Sequence, residues 1–461
     1  MKTTSSKLIL AVLILLSSTT FAQLTIDGQF KTRFQMLHGY KSPVAKETPA
    51  TFGADQRSRL IFGYTSEKYS ANFTLQDARV WGSDDFYNAT GNQRNSYGLG
   101  IYEAWVELKL GQNSALKVGR QEWKYNGSRL ISHRDWWTTG LSYDGLLYKM
   151  HNKESGLFID LGLSYNNDMN PGTGEYINAF PDRLKTVNFL NIKKAVNEKF
   201  DASFNFIFSG KQDAANANIL YMKATEGVIL NYNNGKKATD GVFGGLSAYF
   251  QHGETALSTT GHQKSSAYML DVNLGFRAME KKLEISAGVE MLSGHDATNT
   301  DSLYNTINHT FDLLNGGRHP YYGGNLDYFV MPAHMKNAGM MDPYLKLNYK
   351  TSEKGNFGLG IWLPMLANDL YTSRMDDNGD KILYEKGLGT GIDLSYKHKF
   401  SKEVMLMIGG SFFMMSDSFK EMKSMVTYDA NNSITDDKAG QQYFVYTMLI
   451  VKPSFFSSEK K

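Results

Sequence analysis

Residues 200–210 read FDASFNFIFSG: Phe200, Ala202, Phe204, Phe206 and Phe208 fall on one parity, and Asp201, Ser203, Asn205 and Ser209 on the other. A helix would scatter these residues around its circumference. A strand sends successive side chains to opposite faces, so this segment is a strand with one aromatic and one polar face. The same alternation recurs on both sides of it. At 268–278, Tyr268, Leu270, Val272, Leu274 and Phe276 oppose Asp271, Asn273 and Arg277. At 283–291, Leu283, Ile285, Ala287, Val289 and Met291 oppose Glu284, Ser286 and Glu290. Near the start, Leu24, Ile26, Phe30, Phe34 and Met36 oppose Asp27, Gln29, Lys31, Arg33 and Gln35.

The links between such segments alternate in length. Short polar links fall at 66–68, 111–114, 151–155, 194–198, 233–240, 279–281, 351–354 and 400–402. Longer, Gly-rich links fall near 38–55, 81–97, 123–141, 167–182, 210–216, 253–264, 295–339, 367–386 and 417–439. Eight short and nine long links join 18 strands. An even number of antiparallel strands, with short turns at one rim and long loops at the other, predicts a transmembrane antiparallel β-barrel with short periplasmic turns and long extracellular loops. A β-sandwich or propeller also alternates, but it does not carry this short–long rhythm behind an export signal. In the barrel the aromatic face meets lipid and the polar face lines the lumen, since every backbone group must pair within a closed sheet.

Composition agrees with that class. The chain has 461 residues, 41% apolar and 21% charged, with 43 Gly, 27 Phe, 27 Tyr, only 9 Pro and no Cys. Without cysteine there is no disulfide scaffold, thiolate metal site or Cys nucleophile. A mean hydropathy of −0.39 excludes a bundle of membrane-crossing helices. A formal net charge of +3 gives no basic face for nucleic acid. At the start, Lys2 and Lys7 precede the apolar run Leu8–Leu16, and Thr20 and Ala22 stand before a cut ahead of Gln23. Residues 1–22 therefore read as a cleaved signal peptide and 23–461 as a single barrel domain.

Several segments resemble the alginate-export family of outer-membrane proteins. They are QRSRLIFGY (56–64), QDARVW (76–81), YEAWVEL (102–108), LKVGRQEW (116–123), the Trp136–Trp137 loop and YDGLLY (143–148). RHPYYGGNLDYF (318–329), GIDLSYKHKF (391–400) and YTMLIVKPSFF (446–456) continue the likeness, with Phe455 and Phe456 as the terminal aromatic signal. The resemblance implies an 18-stranded barrel with an arginine-rich constriction that passes an anionic polysaccharide.

Rings of arginine and lysine favour anions in a channel. The candidate pore-lining residues are Lys31, Arg33, Arg57, Arg59, Arg79, Arg120, Arg129 and Arg134. Ser58, Leu60, Phe62 and Tyr64 share one face, which turns Arg57 and Arg59 to the lumen; Lys31 and Arg33 share the polar face of the first strand. Guanidinium groups grip carboxylates with two parallel bonds, which suits a uronate. Arg79 shares phase with Phe73 and Leu75, and Arg120 with Leu116 and Val118, so each lies beyond the lipid slab or needs a bulge, for example at Gly119. Arg129 and Arg134 stand in a long loop able to fold inward. Glu103, Glu107, Asp160, Asp201, Asp271, Glu284, Glu290 and Asp393 are expected on the same wall, which wide barrels keep polar in any case.

Weaker motifs point elsewhere. Asp376-Asp377-Asn378-Gly379-Asp380 lacks the glycine position and closing acid of a calcium loop and reads as an Asn-Gly turn. His295, His309, His319 and His334 lack metal spacing, and Gly316-Gly317 with Gly323-Gly324 suit a loop that tucks into the pore. The expected function is an outer-membrane channel for anionic saccharide or polysaccharide in a Gram-negative envelope, not an enzyme, without cofactor or metal. Its partners would be outer-membrane lipid, the solute, and export or uptake proteins in the periplasm, with the channel itself a monomer. The alternatives are a general or nutrient-uptake porin, a barrel enzyme using Ser132, His133 and Asp135, and a surface receptor.

Overall fold

A computed structural model describes residues 22–82, 86–87, 93–94, 100–169, 176–177, 184–235, 237–257, 261–317 and 321–458. The proposed signal, apart from Ala22, lies outside the described residues, as do parts of the links at 81–97 and 167–182 and Arg318, His319 and Pro320.

Eighteen strands close into one antiparallel barrel. They are β1 (Gln23–His38), β2 (Thr51–Thr65), β3 (Tyr69–Val80), β4 (Gly100–Lys109), β5 (Ser114–Gln121), β6 (Tyr143–Asn152), β7 (Leu157–Ser164), β8 (Leu184–Ala195) and β9 (Phe200–Gln212). The second half comprises β10 (Leu220–Tyr232), β11 (Gly241–Ala256), β12 (His262–Ala278), β13 (Leu283–Leu292), β14 (Met340–Tyr349), β15 (Gly355–Trp362), β16 (Gly389–Lys399), β17 (Val404–Met415) and β18 (Gln442–Val451). β18 pairs with β1 from Val451 opposite Phe30 to Tyr443 opposite His38. Beyond Pro453 the chain resumes at Ser454–Ser457 against the beginning of β1. The cylinder is thereby sealed, and no sheet edge is left to face hydrocarbon.

The expected phase holds strand by strand. Phe204 and Phe208 are 41% and 40% exposed on the outer surface, while Ser203, Asn205 and Ser209 are buried inside. Leu274, Phe276 and Ile285 face outward, and Asp271, Arg277 and Glu290 inward. The expected long link near 210–216 lies at 213–219, as long as read, whereas that near 253–264 shrinks to 257–261. β11 and β12 run on for 16 and 17 residues, so their hairpin rises beyond the other strands before turning.

The lumen departs from a uniformly polar cylinder. Two links fold into it: the crossing loop, 122–142, and the long loop, 293–339. They join each other through the Ile131–Asn315 bridge, Gly317 N donating to Ser128 O at 2.6 Å, and Tyr321 Oη donating to Gly127 O at 2.7 Å. Gly316 permits the approach, since a Cβ there would stand 2.0 Å from Arg129 O. The loops bury Leu130, Ile131, Phe311, Tyr322 and Phe329 against inward-facing Ile207, Tyr249, Met269, Phe413, Phe444 and Met448 of the wall. At the level of this plug the inner face is apolar because it packs protein instead of water. At the long-loop rim, residues 363–388 and 416–441 form hairpins braced by Arg374, whose Nε and Nη2 donate to the two Glu421 oxygens at 2.9 and 3.0 Å.

Candidate functional site

The four basic residues of β1 and β2 form a ladder. Lys31 stands opposite Arg57, Gln29 opposite Arg59, and Arg33 opposite Asp55 in the strand register. The expected inward direction is correct, but an open, water-facing lining is not what they form. Lys31, Arg33, Arg57 and Arg59 are all buried, because the crossing loop lies on them. Lys31 Nζ donates to Asp135 O. Arg33 donates to Trp136 O at 3.0 Å and to Asp55 at 2.8 Å. Arg57 donates to Gln29 at 2.9 Å, Trp137 O at 3.3 Å and the Asp135 carboxylate at 2.6 Å. Arg59 donates to Gln76 at 2.7 Å and lies 3.4 Å over the Tyr102 ring. A bulge between β3 and β4 makes that ring contact, because the register passes over Tyr102. These cations satisfy loop carbonyls that would otherwise be buried bare; losing one such bond costs about 1–3 kcal/mol.

Asp135 is the loop's anionic contact with the ladder. Burial favours its neutral form, but the charges of Lys31 and Arg57 outweigh this and hold the carboxyl below the usual carboxylate range.

The opposite wall is acidic. Arg129 leaves the crossing loop and meets Asp271 at 2.7 Å and Glu290, with the Tyr321 ring 3.8 Å from its guanidinium. Asp342 accepts from Gly323 N at 2.9 Å and Leu363 N at 3.1 Å, and Asp393 from Trp362 Nε1 at 2.9 Å and Asn325 N at 3.2 Å. Gly323 and Gly324, at φ of 79° and 94°, turn the long loop so that these amides point at the wall. Cations on β1–β2 thus hold loop carbonyls, and carboxylates on β12–β16 hold loop amides.

The remaining candidates separate. Arg134 donates to Gly316 O at 3.0 Å and Leu314 O at 3.3 Å, tying the two inward loops. Arg79 and Arg120 do not line the lumen. Arg79 chelates Asp77 at 2.8 and 2.9 Å on the outward phase of β3, near the long-loop rim. Arg120 chelates Asp144 at 2.8 and 2.6 Å across β5 and β6. Gly119 has a positive φ of 118°, yet the register on both sides passes it without a shift, so no bulge turns Arg120 inward. The Ser132, His133 and Asp135 group is not assembled as a triad: Ser132 Oγ accepts from Arg134 N at 2.9 Å, and Asp135 serves Arg57. The Asp376 carboxylate accepts from Asn378 N and Asp380 N at 2.9 and 2.8 Å, closing the expected Asn-Gly turn.

Open space follows the plug in three adjoining cavities. One of about 480 Å³ lies on the β6–β9 side and includes Lys211 and Arg134. It shares Arg134 and Trp137 with a second, of about 330 Å³. The second shares Lys124, Gly127 and Tyr321 with a third, of about 560 Å³, which reaches Lys193, Asn273 and Lys346. Of the carboxylates bordering these spaces, Asp135 pairs with Arg57, Asp271 with Arg129 and Asp312 with Lys223; Asp144 shares the outward phase with Arg120, and Asp160 meets only the His151 imidazole. Lys124, Lys211 and Lys346 have no carboxylate within ion-pair distance among the described residues. Sequence reasoning missed these lysines. Lys346 carried a signal, standing on the polar phase of 342–348, but Lys124 is exposed only because of the path its loop takes.

The alginate export family model matches residues 22–158, from β1 into β7. The resemblance to that family therefore holds over this span. No curated protein matches the chain. Acinetobacter baumannii OccAB4 is similar with a TM-score of 0.57 at 10% identity, covering 94% of this chain and 98% of that one. Pseudomonas aeruginosa OpdL gives 0.56 at 10% identity, with coverage of 95% and 99%. Pseudomonas aeruginosa OpdK, solved with vanillate, gives 0.54 at 8% identity, with coverage of 94% and 99%. At these identities the likeness is one of fold: the architecture is that of an outer-membrane porin-type barrel with loops at one rim.

Proposed function

We propose that this barrel is a channel of the Gram-negative outer membrane that passes small anionic saccharides, drawn along lysines instead of the arginine ladder. One observation carries the reading. Along the three adjoining cavities Asp135, Asp271 and Asp312 each pair with an arginine or lysine, whereas Lys124, Lys211 and Lys346 have no carboxylate within ion-pair distance among the described residues. A narrow space with surplus positive charge concentrates anions and repels cations. The arginines act at one remove, by holding the crossing loop that narrows the space. Cavities of about 330–560 Å³ suit a short saccharide; a polymer would need the plug displaced. The family match over 22–158 supports the same substrate chemistry.

Reversal potentials across a planar bilayer in a KCl gradient test this. Anion preference is expected, reduced in the Lys124→Met/Lys346→Met double variant; cation preference in the unmodified channel would refute it. The vanillate held by OpdK favours a second reading, uptake of small carboxylates without a sugar ring.

A further inference from the structure

Within the proposed anionic-saccharide reading, on which this inference rests, we propose that the cavity beneath the crossing loop is a binding site for a single sugar-acid residue. It would recognise the ring hydroxyls as well as the carboxylate. Its volume of about 560 Å³ falls in the range of small-molecule sites, roughly 300–1,000 Å³.

Three kinds of group meet there. Ser203, Ser247, Ser286 and Asn273 face the space from β9, β11, β13 and β12, and none has a side-chain hydrogen-bond partner among the described residues. Gly245 lies between Asn231 and Asn273 in the register; its bare backbone leaves a recess with an Asn273 amide nitrogen and an Asn231 carbonyl oxygen on opposite sides. A Cβ at Gly245 would stand 3.2 Å from the first and 3.4 Å from the second. A donor and an acceptor facing across a gap suit neighbouring hydroxyls, each of which both donates and accepts.

Lys346 supplies the charge. Its ammonium lies 4.3 Å from the Tyr344 ring centroid and 5.8 Å from that of Tyr321, a ring that also lies against Arg129, itself engaged with Asp271 and Glu290. Wetting a channel wall requires polar side chains. It does not require an ammonium held over the Tyr344 and Trp362 rings with no carboxylate in ion-pair contact, in the same cavity as unpaired hydroxyls and the Asn273 amide, which is the donor set for a carboxylate attached to a hydroxylated ring.

Ligand-observed NMR titration of the detergent-purified full chain tests the site with glucuronate, glucose and cyclohexanecarboxylate as probes. Glucuronate should bind more tightly than either, since only it offers both groups. Lys346→Met should weaken glucuronate roughly tenfold, the loss of one charged hydrogen bond, and leave glucose unchanged. Asn273→Ala should bring glucuronate down toward cyclohexanecarboxylate, and retained heat-modifiable migration of each variant would show a folded barrel. Equal binding of cyclohexanecarboxylate and glucuronate would overturn the site, as would indifference of glucuronate to both substitutions. Anion-selective conductance without glucuronate binding would remove the site and leave the channel reading standing. Loss of anion selectivity would remove the reading itself.

Discussion

Arg57 has 0% of its surface exposed and three partners on two separate segments, Gln29 of β1 and Asp135 and Trp137 of the crossing loop. Removing it leaves the Trp137 carbonyl and the half-exposed Asp135 carboxylate without their donor, whereas removing a lumen cation that faces water would only alter the field. Arg57→Met is therefore expected to cost about 1–3 kcal/mol in docking of the crossing loop, seen as noisier and larger unit conductance. Asp135 gives the latch its pH dependence. Its carboxyl is depressed in the folded state, so the stabilisation is present above the unfolded value of about 4 and is lost as pH falls through the lower, folded one. Conductance should stay flat from neutral pH down to about pH 4, while Asp135→Asn should show the released state at neutral pH. A step in wild-type conductance near pH 6 would count against the latch. Arg57 was legible as inward-facing from parity alone. That it is covered was not, because parity reports which face a side chain takes and not what lies on that face.

Strands in this barrel repeatedly set an inward aromatic ring over a glycine of the neighbouring strand. Phe189 lies beside Gly162, Tyr249 beside Gly227, Phe243 beside Gly275, Tyr344 beside Gly288 and Tyr446 beside Gly409. An added Cβ at Gly162 would meet the Phe189 ring at 2.1 Å, and one at Gly288 the Tyr344 ring at 2.5 Å. The glycine provides room for a ring to lie flat along the wall, which stiffens the sheet and keeps the lumen clear. Gly162→Val should destabilise by about 1–3 kcal/mol through overpacking, read as a lower urea midpoint for the heat-modifiable species. Gly53→Ala, with nothing within 4 Å of the new carbon, should leave the midpoint unchanged. At this scale the sequence was most readable, since alternation marks each strand. The inward long loop was signalled by its Gly316-Gly317 and Gly323-Gly324 pairs, but the wall it packs on was not, because Phe206-Ile207-Phe208 and much of 442–451 are apolar on both faces, a mark of strands covered on both sides that strict alternation passes over.

For the whole molecule the governing feature is the two-loop plug clamped between a basic and an acidic wall. Arg129 joins its two halves: it belongs to the crossing loop, pairs with Asp271 and Glu290 on the wall, and carries the Tyr321 ring of the long loop. Without it, two buried carboxylates lose their cation and the long loop loses its stacking partner. Chymotrypsin added to intact cells should spare the native long loop between Tyr322 and Phe329, both 0% exposed, and cut there in Arg129→Gln. Ready cleavage of the wild-type loop in that segment would show that it does not sit inside the barrel.

By itself the sequence determined the barrel, its 18 strands and the inward or outward direction of nearly every strand residue, because the two-residue period is local and a closed sheet admits one register. Parity also put Arg79 and Arg120 outward, and the fold keeps them there, against their place among the pore-lining candidates. Only the tertiary structure decided what fills the lumen. The paths of residues 122–142 and 293–339 depend on contacts between segments more than 100 residues apart, such as Lys31 with Asp135 and Arg129 with Glu290, which leave no periodic trace in the chain. Those contacts turned the arginines from a channel lining into a loop clamp and left lysines facing the open space.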